Sequence, residues 1–265
     1  MDTSWLERHL SEVALVDVRW AIDTGPQFEA YRAGHIPGAV FADLDLDLSA
    51  PAGAAGRHPL PTPEAFAKAR ANLGIGARPV VVYDDSNGAI AARLWWMLDS
   101  IGVPAAVLDG GLSAWTGELE TGDSQRGDED IPVAVQWPAD RFITADDIPS
   151  AVAAGAVLID ARSAQRFRGD PNPIDTRPGH IPGAISRPWT ENMEDGRFAS
   201  ADVLASQLET MGIRGDTPLV ASCGSGVTAC HNLLGSRLAG IEDARLYVGS
   251  WSEWSHSDLP VARGE

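Results

Sequence analysis

Six short apolar runs punctuate the chain: ALVDV (14–18), PVVVYD (79–84), AAVLD (105–109), AVLID (156–160), PLVAS (218–222) and ARLYV (244–248). They are rich in Val, Leu and Ile, do not alternate with polar residues, and are bounded by glycine, proline or charge, which predicts strands buried on both faces. Between them lie stretches with helical spacing: PEAFAKARANLG (63–74), AIAARLWWMLDSIG (89–102), ADVLASQLETMG (201–212) and TACHNLLGSRLAG (228–240). Strand alternating with helix predicts an α/β fold with parallel sheets flanked by helices on both faces. Ligands of such sheets bind beyond the carboxyl ends of the strands.

The pattern occurs twice. ALVDVRW (14–20) matches VLIDARS (157–163), AGHIPGAV (33–40) matches PGHIPGAI (178–185), and LDGGLSAW (108–115) matches YVGSWSEW (247–254), in the same order and offset by about 140 positions. Three ordered matches argue for a duplication, with domains expected at 1–122 and 141–265. The stretch GELETGDSQRGDEDIPVAVQWPADR between them is acidic and turn-rich; residues 123–140 read as a linker with one short strand.

Composition narrows the function. At 44% apolar and 22% charged, the 265 residues suit a globular protein. No apolar run approaches the roughly 18 residues of a membrane span, and MDTSWLERHL lacks the basic-then-apolar order of a signal peptide, so a cytoplasmic location is expected. A net charge of −17, with Lys68 the only lysine, argues against nucleic acid or anionic membrane as partner. Any anionic substrate then needs locally placed arginines. Two cysteines make neither a disulfide framework nor a zinc site, and no dinucleotide or P-loop motif is present, so neither metal nor cofactor is expected.

One of those cysteines has an unusual setting. In SCGSGVTA (222–229), Cys223 follows a predicted strand and precedes a predicted helix, with Gly224 and Gly226 around it. Glycines let successive N–H groups turn into one concavity, and the helix starting near Thr228 adds its positive end. A sulfur at that centre is a candidate nucleophile, since such a cage favours the thiolate. Cys230, two helical turns on, reads as core, with a resolving thiol as its other possible role. A cysteine phosphatase would need arginine where Ala229 stands, and a G-x-S-x-G hydrolase would need glycine where Cys223 stands.

DVR and DAR, both GHIPGA motifs, LWWML, LDGG, CGSGVTAC and GSWSEW together resemble the tandem-domain sulfurtransferases of the rhodanese family, over nearly the whole chain. The resemblance implies two rhodanese-like domains of which only the second is catalytic, its cysteine carrying sulfur as a persulfide. Aligning SCGSGVTA with DDSNGAIA (84–91) places Asp85 opposite Cys223, so the first half lacks a nucleophile. The neutral loop is similar to that of the 3-mercaptopyruvate sulfurtransferases, whereas thiosulfate users often carry basic residues there. Carried over by position, Arg166 is the residue expected to bind the donor carboxylate, the loop residues Gly224, Gly226, Val227 and Thr228 line the donor site, and Asp45, His58 and Ser225 form a proton relay. The second substrate arginine of the mercaptopyruvate group is absent, its place being taken by Asp175, with Arg168 and Arg177 as candidate substitutes. His35 and His180, and the pairs Asp17/Arg19 and Asp160/Arg162, recur in both halves and read as structural. Trp251 reads mainly as packing.

The function these residues imply is a sulfurtransferase that moves sulfur from 3-mercaptopyruvate through a Cys223 persulfide to a thiol, a thioredoxin-like protein or cyanide. Three rivals remain open: a thiosulfate sulfurtransferase, a persulfide carrier or partner-binding module with negligible turnover, and a redox sensor using Cys223 and Cys230.

Overall fold

All six apolar runs contain strands, and the strands form two parallel sheets. In the computed structural model, which describes residues 1–76, 78–124 and 133–264, the chain divides into one unit of residues 1–50 with 60–137 and another of residues 51–59 with 138–265. The first sheet has the order Val40–Phe41, Ala14–Asp17, Val80–Tyr83, Ala105–Val107. One of its faces packs Leu15 and Val81 against Leu6 and Ile36. The Ala91–Ser100 helix packs against the Val80–Tyr83 and Ala105–Val107 strands. Thr62 caps the Pro63–Asn72 helix through the N–H of Ala65, with Pro63 in the first turn, where its missing N–H is not needed.

The second sheet runs Phe142–Ile143, Ala244–Tyr247, Leu219–Ser222, Val157–Asp160, Ala184–Ser186, again all parallel. Its central strand is buried throughout. Val220, Leu158, Ile143 and Tyr247 meet Ile148, Trp251 and Trp254 in one core. The Thr228–Leu238 helix packs on the Leu219–Ser222 and Ala244–Tyr247 strands and on the Ala201–Thr210 helix. At roughly 1.5–3 kcal/mol for each large apolar side chain fully buried, this core fixes the end of the Leu219–Ser222 strand far more firmly than the loop's own hydrogen bonds could.

The recurring motifs do the same work in each half. Arg19 binds Asp17 and donates to the Gly34 carbonyl at 2.8 Å; Arg162 binds Asp160 and donates to the Gly179 carbonyl at 2.8 Å. His35 stacks on Tyr31 and His180 on Phe167, each bonding through Nδ1 to its neighbour's carbonyl. The linker expected at 123–140 includes residues 125–132, outside the described residues; its other positions carry no strand. Residues 51–59, expected to belong with the first half, fold with the second unit.

Candidate active site

Cys223 leaves the carboxyl end of the central strand, and the next residues wrap around its sulfur. The N–H groups of Ser225 and Gly226 donate to Sγ at 3.4 and 3.1 Å. Gly226 has φ +73°, and a Cβ there would strike the Val248 carbonyl oxygen, so the turn requires glycine. The loop is pinned from behind: the Cys223 N–H donates to Ser250 Oγ at 3.0 Å, and the Cys223 and Gly224 carbonyls accept from the N–H groups of Trp251 and Ser252. The Thr228–Leu238 helix starts directly after Val227, with no side-chain capping bond. Of the expected ring of donors, the two aimed at the sulfur are thus Ser225 and Gly226. Cys230 is fully buried on that helix and donates to the Gly226 carbonyl at 3.3 Å.

Two guanidinium groups converge on the loop. A Cβ on Gly224 would lie 3.1 Å from an Nη2 of Arg166 and 3.1 Å from an Nη2 of Arg57. Arg166 comes from the short Ala164–Arg168 helix, capped by Ser163, and is aimed by Asp175, which accepts from its Nε at 2.9 Å and Nη2 at 2.6 Å. Arg162 also reaches Asp175, at 3.4 Å. Burial opposes the Asp175 charge, yet the bonds and charges of Arg166 and Arg162 outweigh it and hold this carboxyl below the usual range. Burial likewise opposes the charge of Arg166, and the bond to Asp175, with the nearby sulfur, more than restores it. The Arg57 guanidinium is pushed down, first by burial and then by Arg166 beside it. With Asp175 committed to Arg166 and Arg162, the adjacent guanidiniums of Arg57 and Arg166 leave a positive concavity suited to an anion.

Arg57 and His58 lie on the 51–59 segment. Its Gly56, φ +103°, passes so close to Ser252 Oγ and the Gly249 carbonyl that a Cβ would sit 2.8 and 2.9 Å from them, and the Arg57 N–H donates to Ser252 Oγ at 2.9 Å. His58 is buried with its Nδ1 2.8 Å from Ser225 Oγ. A cavity of about 280 Å³ opens on Gly224 and is lined by Arg57, Asp175, Trp251, Thr176 and His256 among others.

The corresponding loop of the first unit carries a carboxylate in its amides. Asp84 is wholly buried and accepts four N–H bonds of 2.8 Å, from Ser86, Gly88, Ile90 and Ala91. The nest that faces a sulfur in one half is filled in the other by a side chain of the loop itself.

A sequence model of the rhodanese-like domain matches residues 2–118 and again 144–257. The chain belongs to the rhodanese family. It is 44% identical, over 98% of its length and 96% of the other's, to a Pseudomonas aeruginosa protein provisionally named a 3-mercaptopyruvate sulfurtransferase. It is 41% identical, over 95% and 91%, to a Mycobacterium tuberculosis protein provisionally named thiosulfate sulfurtransferase SseB. Its structure is similar to the crystal structure of the Escherichia coli 3-mercaptopyruvate enzyme SseA, with a TM-score of 0.83, 35% identity and coverage of 96% and 98%.

Within this rhodanese, Cys223, Gly224, Ser225, Gly226, Arg166 and His58 come together in one unit. Asp45 lies in the other, where its Oδ2 accepts from the Trp20 indole at 3.0 Å. Arg168 pairs with Asp170, and Arg177 holds the Ser257 and Leu259 carbonyls, so neither takes the second arginine's place. The guanidinium that does lie beside Arg166 at Gly224 is that of Arg57. It was missed because its distance in sequence from Cys223 hides it; its neighbour in RHPLP, His58, was the available signal. Trp251 packs under the Arg162 guanidinium, 4.7 Å from its centre, and also lines the cavity.

Proposed function

We propose that this sulfurtransferase takes its sulfur from 3-mercaptopyruvate and hands it to a thiol acceptor. The observation that carries the reading is the convergence of Arg57 and Arg166 on Gly224, next to the caged sulfur of Cys223. The two guanidiniums take the donor carboxylate and orient the molecule with its sulfur toward Cys223. The Cys223 thiolate attacks that sulfur, the S–S bond forms as the C–S bond breaks, and the electron pair leaves with pyruvate enolate. Ser225, bonded to His58, delivers the proton that turns the enolate into pyruvate. The N–H groups of Ser225 and Gly226 hold the persulfide. Gly224 and Ser225 leave room beside the thiol and add no charge, which suits a ketoacid.

Thiosulfate is the second reading, because a paired-arginine site also suits a doubly charged anion. Steady-state kinetics with both donors decides between them. The expected kcat/KM is about tenfold or more in favour of 3-mercaptopyruvate, with Arg57→Ala raising its KM by roughly tenfold. A preference for thiosulfate would overturn the donor assignment. Loading without repeated turnover, whatever the acceptor, would favour a persulfide carrier.

A further inference from the structure

The reaction has two halves, and the site shows proton-handling groups suited to one of them. Ser225 and His58 serve the departing donor. A thiol acceptor brings its own proton, which must leave before its sulfur can attack. Among the described residues lining the cavity at Gly224, three carry ionisable side chains: Arg57, Asp175 and His256. Arg57 has no lone pair to offer. Asp175 is locked by Arg166 and Arg162 and held below the ordinary carboxyl range, which makes it a poor base near neutral pH. His256 remains.

Its geometry defines which nitrogen would act. His256 follows the Ser250–Trp254 helix, and its Nδ1 lies 2.8 Å from the Ser252 carbonyl oxygen. A carbonyl only accepts, so Nδ1 carries the hydrogen and the neutral ring leaves its lone pair on Nε2. Nε2 lies 3.4 Å from Thr176 Oγ1, another residue of the cavity wall, and the ring is exposed. The carbonyl of Ser252 thus fixes the tautomer while its N–H holds the Gly224 carbonyl of the nucleophile loop. Charged neighbours are few: Arg57 and Asp175 share the cavity wall, and Glu253 on the same helix turns its carboxylate back onto Gly249 and Tyr247.

We propose that His256 is the general base of the acceptor half-reaction, taking the proton of an incoming thiol through Nε2. The inference rests on the sulfurtransferase reading above. Nε2 accepts the proton of RSH; RS⁻ attacks the outer sulfur of the Cys223 persulfide; the bond between that sulfur and Sγ breaks. Cys223 leaves as the thiolate, and the new RS–S⁻ takes the proton back from His256. No net oxidation occurs, and one sulfur atom moves.

His256→Asn keeps a donor for the Ser252 carbonyl and removes the base. Donor loading, followed by mass in a single turnover, is expected to stay within about twofold of the parent. Turnover with dithiothreitol should fall by at least about tenfold. Turnover with sulfite, which at about pH 8 has no proton to surrender, should be unchanged. Equal losses with dithiothreitol and sulfite, or unchanged turnover with dithiothreitol, would overturn the role of His256 alone. Failure of the parent protein to load sulfur at all would overturn the underlying reading as well.

Discussion

Asp175 keeps Arg166 aimed at the Cys223 loop and is itself held by two guanidiniums, so one carboxylate organises the charges beside that loop. Its side chain is only 4% exposed, which makes the pairing costly to break. Because its folded pKa lies below the unfolded one, its contribution to stability is complete above the ordinary carboxylate range and is lost as pH falls through the depressed value. Asp175→Asn should therefore lower the unfolding free energy by roughly 1–3 kcal/mol at neutral pH, the difference shrinking below about pH 4. Urea unfolding at the two pH values measures it; a gap that stays constant or widens in acid would contradict the assignment. From the letters alone Asp175 was a missing arginine. Its partnership with Arg166, nine positions away across a turn, depends on how PNPID folds back, which spacing does not encode.

At the scale of elements, the 51–59 segment matters most, since it brings Arg57 and His58 to a loop more than 160 positions later in the chain. Its docking hinges on Gly56, where any side chain meets both Ser252 and the Gly249 carbonyl at a backbone angle unfavourable to other residues. Gly56→Val should reduce sulfur transfer by at least about a hundredfold while shifting the melting temperature little, because the cores of both sheets are untouched. Unchanged kcat/KM in that variant would show that the segment's seating is irrelevant. The strands and helices were legible because buried parallel strands leave unbroken apolar runs. The loop conformation of CGSGVT was legible through its glycines. The seating of a glycine- and alanine-rich segment was not, since such residues carry no periodic signal. The two homologous loops add a contrast: one turns its amides onto a sulfur, and the other encloses the carboxylate of Asp84.

For the whole molecule, the duplication explains what is structural and what is not. Motifs present in both halves, the Asp-x-Arg pairs and the GHIPGA histidines, hold strand ends and turns in both. Cys223 and Ser225 have no such counterpart, Asp85 and Asn87 standing in their places in the first half, and they lie with Arg57 and Arg166 around Gly224. Against a net charge of −17, the protein sets two guanidiniums side by side at Gly224. The central claim is that Cys223 carries the sulfur. Intact-protein and peptide mass spectrometry after brief exposure to 3-mercaptopyruvate tests it most directly. The expected result is a gain of about 32 Da, one sulfur atom, confined to the peptide containing Cys223 and removed by a thiol. A gain on Cys230, or sulfur transfer that persists in Cys223→Ser, would contradict it.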